Sequence, residues 1–225
     1  MEIFKNFDHV VSLGYNCFPK LFLNKIDFKQ ETFFFDWLGT TMVSINSLID
    51  NKFQEVVDPK HFKIIKTNNK KTPILVANKK YNFGFMHDFL TIPTKTSIVP
   101  IKKKYTHRAE KFLNLIQSGK KILFIRLEPN FENEKNDILF IKDKMKSISE
   151  KTDLEHLKEF SKKMPKELNF KIILLSSTQE THYNKEEKIL VLKFDDRGID
   201  YKIFDKIIFK VLEDNKELIQ SSILI

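Results

Sequence analysis

Four short runs of almost unbroken apolar residues set the tightest limit on what this chain can fold into: His9 to Gly14 (HVVSLG), Lys121 to Leu127 (KILFIRL), Phe170 to Ser176 (FKIILLS) and Lys188 to Phe194 (KILVLKF). A strand with one wet face alternates apolar and polar residues, whereas an unbroken run suits a strand covered on both faces, as in a parallel sheet. Helical patterns separate the runs: Pro19 to Ile26, Thr41 to Lys52, Arg108 to Ser118 closed by Gly119, and Asp153 to Met164 closed by Pro165. Near the end, Ile203, Phe204, Ile207, Ile208, Val211 and Leu212 recur at helical spacing, which predicts one helix over Tyr201 to Leu218 docked on the sheet. This alternation predicts an α/β fold of three layers with a mostly parallel sheet. From about Phe53 to Pro100 the text changes to alternation with turn signals at Asn68-Asn69 and Asn78-Lys79-Lys80, so a β-rich insertion is expected in the first half of one domain spanning residues 1–225.

Composition narrows the partners. The formal charge is +9, but among 39 basic residues only Arg108, Arg126 and Arg197 are arginines. Readers of nucleic acid rely on the planar, multi-donor guanidinium, and here lysines are scattered among glutamates; specific nucleic-acid binding is not expected. No apolar stretch approaches the roughly 20 residues of a membrane span, and Met1 to Phe7 lacks the apolar core of a signal peptide, so no membrane partner and a cytoplasmic location are expected. A lone cysteine forms no internal disulfide and supplies no thiolate zinc site, which fits a reducing compartment; no metal or cofactor is expected.

That cysteine, Cys17, occupies the most informative turn. The segment Val10-Val11-Ser12-Leu13-Gly14-Tyr15-Asn16-Cys17-Phe18-Pro19 leaves a buried strand through Gly14 and enters a helix in which Pro19 is tolerated early, where amides lack partners anyway. Cys17 therefore sits at a helix N-terminus, where partial positive charge favours a thiolate and exposed amides favour an oxyanion. Asn16 can cap the helix or donate to developing negative charge. The plainer alternative is a packed cysteine acting as a small hydrophobe.

Five motifs in order, Ser12-Leu-Gly-Tyr-Asn-Cys17, Phe35-Asp36-Trp37, His87-Asp88-Phe89, Tyr105-Thr-His-Arg108-Ala-Glu-Lys-Phe112 and Leu123-Phe-Ile-Arg126, resemble a family labelled putative papain-like cysteine peptidases, found in bacteria, eukaryotes and large DNA viruses. The resemblance covers roughly residues 8 to 128 and implies Cys17 as nucleophile with His87 as its partner. Lys111 stands where the family often has Arg, and no motif is matched from Asp153 onward. A fainter similarity links the chain to lipase-like hydrolases with a nucleophile after the first strand. Their C-terminal Asp-x-x-His is missing, because Asp200 and Asp205 are followed at the third place by Ile203 and Ile208.

Among the six histidines, His9, His61, His156 and His182 fall before the first strand, in a Lys-rich stretch or on exposed segments, leaving His87 and His107. A period of two would set Phe83, Phe85, His87 and Phe89 on one face with Asp88 pointing away. Asp36 is then the better group to orient His87, or else it caps a helix starting near Gly39 to Thr41. Arg126 ends a buried strand at the edge where α/β sheets hold ligands; it could grip an anion bidentately or pair with Glu128 or Asp36. Arg108, Asp88, Asn16 and Gly14 complete the candidate binding set, and Asp195 to Gly198 could add to its rim. Two functional expectations follow: a cysteine-dependent hydrolase or acyl transferase using Cys17, His87 and Asp36, or a non-catalytic or transferase-type domain holding an anionic or nucleotide-like ligand at the first-strand turn.

Overall fold

The four apolar runs become four parallel strands of one sheet. The computed structural model describes residues 2–26, 31–66, 74–128, 152–195 and 201–223. In chain order the strands are β1 (His9–Ser12), β2 (Leu38–Gly39), β3 (Phe62–Lys66), β4 (Ile74–Asn78), β5 (Phe83–Phe89), β6 (Ile122–Leu127), β7 (Phe170–Ser176), β8 (His182–Asn184) and β9 (Ile189–Lys193). The helices are α1 (Glu2–Lys5), α2 (Phe18–Lys25), α3 (Met42–Asp50), α4 (Lys95–Leu115), α5 (Asp153–Lys163), α6 (Tyr201–Asp214) and α7 (Lys216–Ile223).

The main sheet has the order β1-β6-β7-β9-β8, parallel except for β8 at one edge. Alternate residues of each strand enter opposite cores. Val11, Phe124, Ile172 and Val191 pack with α3, α4 and α5, while Val10, Leu123, Ile173 and Leu190 pack with α1, α2, α6 and α7. Helices on both faces explain why the strands carry no polar alternation, since residues of either parity then gain the roughly 1.5–3 kcal/mol of full aliphatic burial.

A second, antiparallel sheet, β2-β5-β4-β3, accounts for the β-rich insertion. It starts earlier than expected, at Leu38, and gives way sooner, at α4. The capping box of Thr94 and Ser97 opens α4 well before Arg108, and Pro100 lies inside the helix rather than beyond the insertion. This sheet and α4 meet over an aromatic cluster: ring centroids lie 4.7 Å apart for Phe34 and Phe53, 5.3 Å for Phe35 and Phe112, and 5.2 Å for Phe85 and Tyr105, crossing edge to face. Much of the chain's phenylalanine is spent here.

The C-terminal helix also differs, because Asn215 splits it into α6 and α7. Both its amide (3.2 Å) and its side-chain Nδ2 (2.8 Å) donate to the carbonyl of Val211, and this local competition for a helical acceptor interrupts the ladder. The turn expected at Asn68-Asn69 and the Asp196 to Gly198 part of the expected rim lie outside the described residues.

Candidate active site

The turn from β1 to α2 is held from below by side chains that the backbone geometry demands. Gly14 and Tyr15 are both left-handed, with φ of +72° and +82°. A Cβ on Gly14 would lie 2.3 Å from Thr40 Oγ1 and 3.1 Å from the Phe35 carbonyl, so glycine is required for both conformation and space. The Gly14 amide donates to Ser12 Oγ (3.0 Å) and the Tyr15 amide to Thr40 Oγ1 (3.1 Å), and that hydroxyl donates onward to the Leu13 carbonyl (3.2 Å). The Thr40 amide returns a bond to the Tyr15 carbonyl at 3.3 Å.

Arg126, fully buried, is the centre of this support. Its Nε and Nη2 grip Asp153 in the first turn of α5 at 2.7 and 3.3 Å, its Nη1 donates to the Leu13 carbonyl at 3.0 Å, and both Nη atoms reach the Thr40 carbonyl at 3.3 Å. The expectation that Arg126 would hold a ligand anion, or pair with Glu128 or Asp36, is corrected: its fork is committed to Asp153 and to the carbonyls of the cysteine turn. A guanidinium is the one side chain with enough fixed donors to tie three segments at once.

Above this support Cys17 is the N-cap of α2, with φ −79° and ψ −9°. Asn16 Oδ1 accepts from the Phe18 amide at 2.9 Å, the capping role expected for it. The Cys17 thiol is half-buried, and burial pushes its pKa up; only its own backbone amide pulls the other way. The expectation of an activated thiolate is therefore not met in this resting state. A single eight-residue helix offers less than the thiol loses by leaving water.

Asp36 lies beneath the same helix. Its Oδ2 accepts from the Phe33 amide at 2.8 Å and pairs at 3.2 Å with Lys20, whose Nζ also donates to the Glu31 carbonyl at 3.1 Å. Lys20 and Asp36 are both buried, with side chains 3% and 1% exposed. Burial raises the Asp36 pKa against the opposing pull of Lys20, the Phe33 amide and Arg108. Asp36 thus folds the Phe33 to Trp37 turn and docks α2, and it caps no helix, because Thr41 accepts from the Ser44 amide and caps α3. Lys111 supports the same turn, 3.4 Å from Glu31 and over the Phe33 ring.

On β5 the expected burial of Phe83, Phe85 and Phe89 holds, but the sides of His87 and Asp88 are exchanged. Pairing shifts between Val76 opposite Phe85 and Ile74 opposite Phe89, so β5 spends two extra residues there. This irregularity turns His87 out to solvent and Asp88 in. Asp88 accepts from the Tyr105 hydroxyl at 2.8 Å and pairs with Lys104, and its side chain is 3% exposed. Arg108 lies over the Tyr105 ring, 5.3 Å from its centroid, and draws down both the Tyr105 and the Asp36 titrations. Tyr105 itself is held well above its usual pKa, chiefly by burial. His87 meets Trp37 edge-on at 5.8 Å. Among the described residues no hydrogen bond joins His87 to Cys17 or to Asp36. Still, β5 runs beside β2 through Leu38 opposite Phe85, and a Gly14 Cβ would lie 3.5 Å from the Leu38 carbonyl, so His87 is carried on the strand next to the one that abuts the cysteine turn. His107 is exposed on α4.

Sequence reasoning passed over three supports, Thr40, Lys20 and Asp153, and named Glu128 only as a partner for Arg126, missing its hydroxyl partners. Glu128, at the carboxyl end of β6, accepts on Oε2 from Ser176 and from Thr178 (2.8 Å), and burial raises its pKa. Only Asp153 left a signal, as an acid in the first turn of a capped helix. For metals, Glu55, Asp58 and His61 bring ligand atoms within 4.8 Å of one another. Glu55 is already bound by Lys60 and Lys80, which hold its pKa down to about 2, so this is an ion-pair cluster in its own right.

A cysteine at the end of the first strand of a parallel sheet, on a turn buttressed from three segments, defines a class of α/β protein with a thiol at the ligand-bearing edge. The chain belongs to the family described as putative papain-like cysteine peptidase (DUF1796), whose model matches residues 8–180. That span takes in Asp153 and Ser176, beyond the motifs ending at Arg126. That description supports a cysteine hydrolase at the level of the family. The chain is also similar to Uncharacterized protein R408 of Acanthamoeba polyphaga mimivirus, 29% identical over an alignment of 136 residues that covers 52% of this chain and 60% of the viral protein. The chain thus spans less than two thirds of that relative's length. No solved structure matches. No helix of the described residues is long and apolar enough to cross a membrane.

Proposed function

We propose that the chain is a thiol-dependent hydrolase or acyl transferase with Cys17 as nucleophile. The observation that carries this reading is the seating of Cys17: a half-buried N-cap on a left-handed turn pinned by Thr40 and Arg126 at the carboxyl edge of the sheet. Family membership supports the same chemistry. In the reaction the thiol proton passes to His87 as sulfur bonds to a carbonyl carbon, and the carbonyl π pair moves to oxygen. The amides of Asn16 and Cys17, which have no backbone acceptor among the described residues, meet that oxyanion in the positive field of α2. Collapse expels the leaving group, which takes the proton back from His87, and water or a second acceptor then cleaves the thioester.

In the resting state His87 stands away from the thiol, and substrate binding brings it in; catalytic hydrogen bonds commonly tighten only in the substrate complex. Asp36 serves this site through Lys20 and α2 rather than by holding the imidazole. The rival reading, a ligand-binding domain in which Cys17 is merely packed, is favoured by the raised thiol pKa, but the internal commitment of Arg126 removes the cation on which it relied.

The test uses p-nitrophenyl acetate with intact-mass analysis. One acetyl group should appear on Cys17 and turn over faster than free cysteine does at the same pH, and Cys17→Ser should show neither. Turnover no faster than free cysteine, from protein of unchanged circular dichroism, would overturn the proposal.

A further inference from the structure

Two adjoining cavities of about 510 Å³ each run along the outer face of α4, away from the residues of the cysteine turn, and share Val99, Lys102 and Thr106 in their walls. The far wall of one is the loop carrying Phe53, Val56 and Val57, which is given its shape by three non-glycine residues in left-handed conformation, Lys52, Phe53 and Glu55. Its floor is apolar. Val99 is 64% exposed on the rim, and Leu90 (77%) and Ile92 (56%) stand exposed on the turn leading into α4.

Once its internal pairs are counted, the groove keeps three lysines against one carboxylate, Glu110, and so a positive excess. Glu55 is taken by Lys60 and Lys80, and Asp58 by Lys60. Lys95, Lys102 and Lys103 make no ion pair among the described residues, and the first turn of α4 holds no acid to offset its N-terminal field. An occupant therefore meets apolar surface flanked by uncompensated lysines. A nucleic acid is a poor fit, because no arginine in the walls offers its phosphates a bidentate partner. A peptide can place neutral side chains there.

We infer that this groove is a docking site for an acidic peptide segment bearing large apolar side chains, which seat beside Val99 while its carboxylates face Lys95, Lys102 and Lys103. The site is separate from the Cys17 chemistry and does not depend on it.

The experiment is fluorescence anisotropy at low salt with a fluorescein-labelled peptide of repeating Glu-Glu-Leu units. Matched Lys-Lys-Leu and all-Glu peptides serve as controls. The Glu-Glu-Leu peptide should bind saturably, about tenfold more weakly to K102E/K103E and about fivefold more weakly to Val99→Asp, while K102R/K103R retains binding. These side chains are exposed, and thermal melts should confirm that each variant is folded. Cys17→Ser should bind as the native protein does, so failure of the hydrolase reading leaves this outcome untouched. Absence of saturable binding, equal binding by K102E/K103E, or an all-Glu peptide binding as well as Glu-Glu-Leu and indifferent to Val99→Asp would overturn the inference; the last would mark mere attraction to polyanions.

Discussion

The β1–α2 turn and the irregular end of β5 carry the two motif residues Cys17 and His87, and they are built in opposite ways. Around Cys17 nearly every support is buried and bonded: Thr40, Arg126, Asp153 and the Lys20–Asp36 pair leave the turn one conformation. Around His87 the strand loses its register, the imidazole faces solvent, and its one ring contact among the described residues is an edge-on tryptophan. If Cys17 is the nucleophile we propose, the difference teaches that fixing it and arming it are separate tasks. A buried hydrogen-bonded frame fixes position, yet the same burial raises the thiol pKa and disarms it. On the proposed reading, a base exposed at such an irregularity waits until substrate arrives.

The comparison breaks most visibly at Arg126. Arg126→Met leaves Asp153 and the Thr40 carbonyl buried without the donors that hold them and the Leu13 carbonyl with the Thr40 hydroxyl alone, and should cost about 3–5 kcal/mol in urea unfolding, with Arg126→Lys losing less. Wild-type stability in the methionine variant would mean that the turn is fixed by something else. Gly14→Ala combines a left-handed penalty with the contact at Thr40 and should cost about 3 kcal/mol. Gly119→Ala, at φ +67° but in open space, should cost only about 1 kcal/mol, so the gap between the two measures the close approach beneath the cysteine.

His87→Ala sharpens the contrast between fixed and armed. Turnover of p-nitrophenyl acetate should fall about a hundredfold, whereas iodoacetamide should alkylate the resting thiol at an unchanged rate, with a titration above that of an ordinary thiol. A slowed alkylation would show that the dyad is already formed at rest.

The smallest effect belongs to Glu128. Its folded pKa is raised, so the native state binds the proton more tightly than the unfolded chain. Its contribution is therefore favourable at low pH and lost as pH climbs from the ordinary glutamate value through the raised one. Glu128→Gln should flatten the decline of urea midpoint over that interval; an unchanged slope would assign the decline to other carboxyls, Asp36 first.

Much of the fold was legible because burial on both faces of a parallel strand writes itself locally, as apolar residues without alternation. The runs at Val10-Val11, Ile122 to Ile125 and Ile172 to Leu175 could hardly mean anything else in a chain whose helical patterns lie between them. The cysteine turn was legible for the same reason: Gly14 and Pro19 punctuate strand and helix through their own backbone limits, and Asn16 caps as its side chain dictates. What the sequence by itself determined is thus whatever depends on a residue and its near neighbours. Only the tertiary structure decided the rest. Arg126 reads identically as an anion site or a clamp until Asp153, brought in by α5, claims its fork. The sides of His87 and Asp88 depend on an irregularity in pairing with β4 that no period of two contains. The thiol pKa depends on how much water the surrounding elements exclude. Each of these is set by groups distant in the chain, and a sequence records which groups exist without recording which of them meet.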